Sequence, residues 1–190
     1  MKKIKIGFAM CGSFCTIAQA LNQMKTLISE GYEITPIFSQ VVYNTNTRFT
    51  EAQKLIAEVE ALTGNKIIHT IEAAEPIGPK KMFDALAVCP CTGNTLAKLA
   101  NGVTDTSVTM AAKSHIRNGR PVILGIATND ALGASARNIG QLLNTRNYYF
   151  VPFGQDDPHN KPRSIIADFD KLNLTIISAL NGVQLQPILI

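Results

Sequence analysis

Small polar residues gather at four places along the 190-residue chain, each directly behind an apolar run of strand length. Cys11-Gly12-Ser13-Phe14-Cys15 follows residues 4–10, and Ser39 follows residues 33–38. Pro90-Cys91-Thr92-Gly93-Asn94-Thr95 continues from residues 85–89, and Ala127-Thr128-Asn129-Asp130 follows residues 121–126. In the first, glycine lets a ligand approach the backbone, and serine offers a hydroxyl and an amide at a helix start, a combination that suits phosphate. The same pair also reads as a plain turn with a helix cap. Ser39 either adds a hydroxyl to that phosphate or is a solvated turn serine. The six residues from Pro90 to Thr95 read as a ligand loop that opens a helix. Thr128 and Asn129 suit a planar polar ring, and Asn129-Asp130 suits a helix cap equally well.

The elements that must position these residues alternate between strand-length apolar runs and stretches of helical period. This pattern predicts an α/β fold: a single doubly wound parallel sheet in a flavodoxin-like or Rossmann-like three-layer sandwich. Ligands of such sheets bind outside the carboxyl ends of the strands, so the four polar strand ends fall on one cleft. No Gly-x-Gly-x-x-Gly follows the first strand, and no acidic residue closes the second, which favours a mononucleotide over NAD.

Ile17, Leu21, Met24 and Ile28 share one helical face ahead of Gly31. Thr50 and Gln53 suit a capping box for a helix that buries Ala52, Leu55, Ile56, Val59 and Leu62 and stops near Gly64. Residues 66–69 read as a short third strand and residues 72–81, with Pro76, Gly78 and Pro79, as a loop. Helices are expected over 94–100 and 107–116, ended by Gly102 and Gly119, and another around 131–143. A sixth strand over 148–153, a polar loop over 154–163 and a final helix over 164–180 complete the reading. Residues 183–190 form an apolar tail that wants a partner surface. One domain over residues 1–190 is expected, with no repeat or internal boundary.

A net charge of +4 with scattered basic residues argues against nucleic acid as the main partner. No stretch approaches the ~20 apolar residues of a membrane span, and the residues behind Lys2-Lys3 do not form a signal peptide, so a cytoplasmic protein is expected. The spacing of Cys11, Cys15, Cys89 and Cys91 suits neither zinc nor a Cys-x-x-Cys redox pair, and free thiols near a cleft are expected. His115 shares an apolar helix face with Val108, Ala111 and Ala112 and reads as packing, whereas His159 lies in the polar loop.

Gly12-Ser13-Phe14 and Pro90-Cys91-Thr92-Gly93-Asn94-Thr95 resemble the flavoprotein family, the flavin-containing cysteine decarboxylases and their relatives. In that family a Gly-Ser-apolar turn follows the first strand and Pro-Ala-Ser-Ala-Asn-Thr the fourth. Pro90, Asn94 and Thr95 match the second motif directly; Thr92 replaces its serine, and Cys91 and Gly93 its alanines. The family's Pro-x-Met-Asn falls on Ile126-Ala127-Thr128-Asn129, where only the asparagine matches. His69 is the only upstream candidate for the decarboxylases' histidine, and its spacing from Pro90 disagrees.

This resemblance implies flavin mononucleotide (FMN) held by Gly12, Ser13, Phe14, Ser39, Thr92, Asn94, Thr95, Thr128 and Asn129, in a homo-oligomer, a trimer or a dodecamer. One branch of the family, from spore-forming bacteria, is similar beyond residue 85. Asn118-Gly119-Arg120-Pro121-Val122, Thr128-Asn129-Asp130-Ala131-Leu132-Gly133, Tyr149-Phe150-Val151-Pro152-Phe153-Gly154-Gln155-Asp156 and Gln184-Leu185-Gln186-Pro187 carry that similarity. It implies one component of an oxidoreductase that makes pyridine-2,6-dicarboxylate from a dihydro precursor, beside a second, nicotinamide-binding-like component that brings NADP. For such a dicarboxylate, Lys161 and Arg163 are the candidate clamp, and two solvated loop cations are the competing reading. A decarboxylase of a cysteine derivative and a non-catalytic scaffold are the alternative functions.

Overall fold

The computed structural model describes residues 3–190. The sheet is built from β1 (Lys5–Met10), β2 (Glu33–Phe38), β3 (Ala85–Cys91), β4 (Val122–Thr128), β5 (Tyr148–Phe150), β6 (Phe153–Gly154) and β7 (Ile165–Ala167). Helices α1 (Ile17–Ser29), α2 (Gln40–Asn44), α3 (Ala52–Thr63), α4 (Ile71–Ala74), α5 (Gly93–Ala100), α6 (Ser107–Ile116), α7 (Ala136–Leu143) and α8 (Leu172–Leu180) connect and cover it. The strand order is β2-β1-β3-β4-β7-β6, with β5 also paired to β4. Strands β1 to β5 are parallel, whereas β7 runs antiparallel to the end of β4 and to β6.

The central strands β3 and β4 are buried on both faces, which is why their sequences Ala-Leu-Ala-Val-Cys-Pro-Cys and Val-Ile-Leu-Gly-Ile-Ala-Thr are near-continuous apolar runs rather than alternations. Helix α1 packs with α3 and α8, and α6 packs with α4 and α5, while α5 also meets α7. The two groups form the outer layers of a doubly wound α/β sandwich, as the alternating pattern predicts. Gly31, Gly64, Gly102 and Gly119 follow α1, α3, α5 and α6 with φ of 91°, 68°, 69° and 70°, a backbone region that costs glycine no steric penalty.

Several expected elements differ, each for a local reason. The Thr50-Gln53 capping box does not form. Thr50 closes its own turn with Thr47, and the Ala52 amide at the start of α3 donates instead to Asn46 Oδ1 at 2.9 Å. The expected strand at 66–69 is reduced to a bridge between Ile37 and Ile68, because Thr70 caps α4 and turns the chain away. The expected loop at 72–81 contains most of α4 and a 3-10 turn over Glu75–Ile77. Pro76 sits in the first turn of that segment, where its missing N–H costs nothing.

The helix expected from 131 begins at Ala136, because the Asp130 carbonyl accepts the amides of Gly133 and Ser135 in a preceding turn. The sixth strand splits at Val151-Pro152 into β5 and β6. The final helix yields its first residues to β7, whose Ile165 and Ile166 pair with Thr128 and Ala127. The tail at 183–190 docks partly on its own chain. Gln184 makes hydrogen bonds to both the amide and the carbonyl of Phe150, and the Phe153 amide donates to the Ile188 carbonyl at 2.9 Å.

Candidate functional site

A cleft of about 710 Å³ opens at the carboxyl ends of β1, β3 and β4. Its first wall is Gly12 to Thr16. The Ser13 amide is spent on the Cys11 carbonyl at 2.8 Å, so the free donors of this turn are the next amides, Phe14 and Cys15, which start the 3-10 turn leading into α1 and have no intrahelical partner. A β-carbon at Gly12 would lie 3.2 Å from Val41 Cγ1 and 3.6 Å from the Phe14 ring, so a side chain there would crowd this turn.

The second wall is the start of α5. Thr92 is the N-cap: its hydroxyl oxygen accepts from the Thr95 amide at 3.3 Å, and its own proton goes to Thr95 Oγ1 at 3.1 Å. Thr95 in turn donates to Cys11 Sγ at 3.2 Å, and the Cys11 amide donates to the Pro90 carbonyl, so the first and second walls are tied together below the cleft. Thr92, Gly93 and Asn94 line the opening.

The floor is the end of β4. Thr128 donates to Asp130 Oδ1 at 2.6 Å and Ser135 donates to the same oxygen at 3.0 Å. A β-carbon on Gly93 would lie 2.6 Å from Asp130 Oδ1, 2.7 Å from Ser135 Oγ and 2.8 Å from Thr128 Oγ1. Gly93 stands where the family motif has alanine and Thr128 where it has methionine, and this packing explains the pair: the hydroxyl–carboxylate cluster occupies the space of the missing methyl group.

Of the sequence-predicted residues, the structure brings Gly12, Ser13, Phe14, Thr92, Asn94, Thr128, Asn129 and Lys161 into the lining. Ser39, Thr95 and Arg163 lie outside it. Ser39 caps α2, accepting from the Val42 amide, and Thr95 is buried beneath the cleft. Arg163 is exposed near Gly133, and its backbone carbonyl accepts from Leu132. Lys161 is ion-paired to Asp156 at 3.0 Å, and hydrogen bonds from Ser164 and Lys161 hold the Asp156 carboxyl below the ordinary carboxylate range.

Sequence reasoning missed Arg48, Phe49 and Asp156 at the rim and Ile165 and Ile166 in the wall. The Arg48 guanidinium lies over the Phe49 ring, 4.8 Å from its centroid. The adjacent cation and aromatic ring, Arg48-Phe49, were the available signal. Ile165 and Ile166 gave none, because their place depends on β7 folding back onto β4.

Cys11, Cys89 and Cys91 are buried free thiols, and burial pushes the Cys11 thiol up to about 11 despite the hydrogen bond from Thr95. Cys15 is exposed and lines the cleft. His69 stacks on Tyr43 with ring centroids 3.7 Å apart and is not in the lining. His115 is buried, with Nε2 3.1 Å from the Pro121 carbonyl, and burial pushes its pKa down to about 4, in keeping with a packing role.

The flavoprotein family profile matches residues 1–171. The B subunit of dipicolinate synthase from Bacillus subtilis is 48% identical over 190 residues, which is all of this chain and 95% of that protein. The crystal structure of the corresponding B subunit of dipicolinate synthase from Bacillus halodurans superimposes with a TM-score of 0.91 at 43% identity, over 100% of this chain and 98% of that one. The FMN-dependent cysteine decarboxylase SpaF shares the fold at 22% identity and a TM-score of 0.65, over 93% of this chain and 97% of its own. With a matched profile over nine-tenths of its length and a full-length relative at this identity, the chain belongs to the flavoprotein family.

Proposed function

We propose that this chain is the B subunit of a dipicolinate synthase. It acts with the enzyme's nicotinamide-binding-like A subunit to oxidise a dihydrodipicolinate-like precursor to pyridine-2,6-dicarboxylate during sporulation, and its cleft takes FMN. The observation that carries this reading is the joining of three polar strand ends into one cleft, in a chain 48% identical over its full length to a protein of that name.

The residues present fit a flavin mononucleotide. A cleft of about 710 Å³ lies within the ~300–1,000 Å³ usual for small-molecule and cofactor sites. The unpartnered Phe14 and Cys15 amides beside Ser13 suit the phosphate, and Phe14, Ala127, Ile165 and Ile166 supply apolar surface for a ring system. When bound, a flavin supplies two-electron acceptor chemistry. The chain's own residues orient and exclude water: Thr92 and Asn94 present polar groups from one side, Asn129 and Asp130 from the floor, and Arg48 and Lys161 bring positive charge to the mouth, where a dicarboxylate would enter. In a site where NADP on the companion protein takes the hydride, the same cleft binds and positions the substrate.

Titration of the purified protein with riboflavin 5′-phosphate, followed by flavin absorbance and fluorescence, tests the cofactor. Saturable binding is expected, together with slower labelling of Cys15 by a maleimide as the cleft fills. A colourless protein with no saturable binding would remove the flavin from this reading. Formation of pyridine-2,6-dicarboxylate by the companion protein on its own, at the rate of the complex, would leave this chain a scaffold. Asn94 and Asn129 in the lining favour a second reading, decarboxylation of a cysteine derivative. Carbon dioxide release from such a substrate checks it.

A further inference from the structure

The carboxylate in the cleft floor is held in a way that neither the fold nor the phosphate-gripping turn requires. Asp130 Oδ1 is saturated by two hydroxyl donors, Thr128 at 2.6 Å and Ser135 at 3.0 Å, and Gly93 removes the methyl group that would displace all three. Among the described residues Oδ2 takes no donor, and no Lys, Arg or His nitrogen lies within ion-pair distance of Asp130. No side-chain oxygen in the described residues is both buried and unpartnered, so Oδ2 keeps access to solvent in a residue that lines the cleft. A carboxylate fixed by one oxygen with the other left open is a directed acceptor. It rewards a hydrogen-bond donor and repels an acceptor or an anion at the same point.

We infer that Asp130 is a specificity-determining residue that accepts a hydrogen bond from the ring N–H of a planar nitrogen heterocycle in the cleft. The isoalloxazine of a flavin presents that chemistry through its imide N–H, which no anionic group of the ligand flanks. The inference rests on the cleft being a heterocycle site, as proposed above. Thr128 and Ser135 are positioning residues that keep the carboxylate from rotating away from the bound ring.

Asp130→Asn makes the test sharp. The amide oxygen can stay with Thr128 and Ser135, which turns the open position from acceptor to donor without changing shape. Isothermal titration of wild type and Asp130→Asn compares riboflavin 5′-phosphate with its N3-methyl analogue. If the flavin is the donor, wild type prefers the unmethylated flavin by about tenfold or more, and the variant loses that preference. Ser135→Ala, which frees one side of the carboxylate, gives a smaller loss of the same preference. Wild type that binds no flavin removes the cofactor reading on which the inference rests. Flavin binding with equal preferences in wild type and Asp130→Asn overturns the inference.

Discussion

At the scale of single residues the cleft depends on one absent methyl group. Gly93→Ala would press a β-carbon against three oxygen atoms at 2.6–2.8 Å, so the Thr128–Asp130–Ser135 cluster has to open. The expected outcome is a loss of ~1–3 kcal/mol in urea unfolding together with weakened ligand binding. His115 gives a pH signature. Below about pH 6.5 the unfolded chain takes up a proton that the folded chain refuses until about pH 4, so stability is full above pH 6.5 and falls as the pH drops through that window. A pKa held down from 6.5 to about 4 corresponds to roughly 3 kcal/mol lost by pH 4. His115→Gln, compared with wild type at pH 7 and pH 4.5, should show a shallower decline. Among the cysteines only Cys15 is exposed, so native protein is expected to react rapidly with one equivalent of maleimide. Three more should react only on unfolding, with mass spectrometry identifying the sites.

At the scale of elements, caps and turns are where local sequence is both most and least informative. Stops at Gly31, Gly64, Gly102 and Gly119 were legible because a positive φ is a local demand that glycine meets by itself. The Thr50-Gln53 box was not, because Thr47 and Asn46 compete for the same groups, and only the folded loop shows which bonds win. Helix α6 carries the box that does form: Thr106 accepts from the Thr109 amide at 3.1 Å, and Thr109 Oγ1 accepts from the Thr106 amide at 3.1 Å. Thr106→Ala is expected to cost about 1 kcal/mol in stability without altering ligand affinity, since neither residue touches the cleft.

At the scale of the whole molecule, the tail and the cleft are mechanically joined. Ile188 and Ile190 make backbone hydrogen bonds to Phe153, Phe153 and Gly154 pair with β7, and the loop between β6 and β7 carries Asp156, Lys161 and Ser164 of the cleft rim. Removing residues 184–190 is expected to raise hydrogen–deuterium exchange across residues 153–167 and to weaken ligand binding, while the β1 to β4 core keeps its protection. Unchanged exchange in the hairpin would mean that the tail is a passenger. Val183, Leu189 and Ile190 remain exposed, so only part of the apolar tail expected to seek a partner surface is used within the chain.

The sequence by itself determined the doubly wound α/β architecture and three of the cleft's polar strand ends. Strand-length apolar runs, helical periodicity and glycine-serine turns are local or short-range signals, and in a parallel sheet the carboxyl ends of neighbouring strands fall together. It did not determine which of those polar groups reach the cleft. Ser39 and Thr95 spend their hydroxyl oxygens on caps and buried contacts, and Arg163 lies away from the lining, although each residue type suits a ligand. Nor did it show Asp130 as a fixed acceptor or Ile165 and Ile166 as a wall. The donors to Asp130 are only two and five positions away, but the room for their cluster is left by Gly93 of α5 and the wall by β7 pairing with β4, contacts between residues tens of positions apart in the chain. Only tertiary packing could decide them, because excluded volume at Gly93 and strand pairing at Thr128 have no counterpart in local sequence pattern.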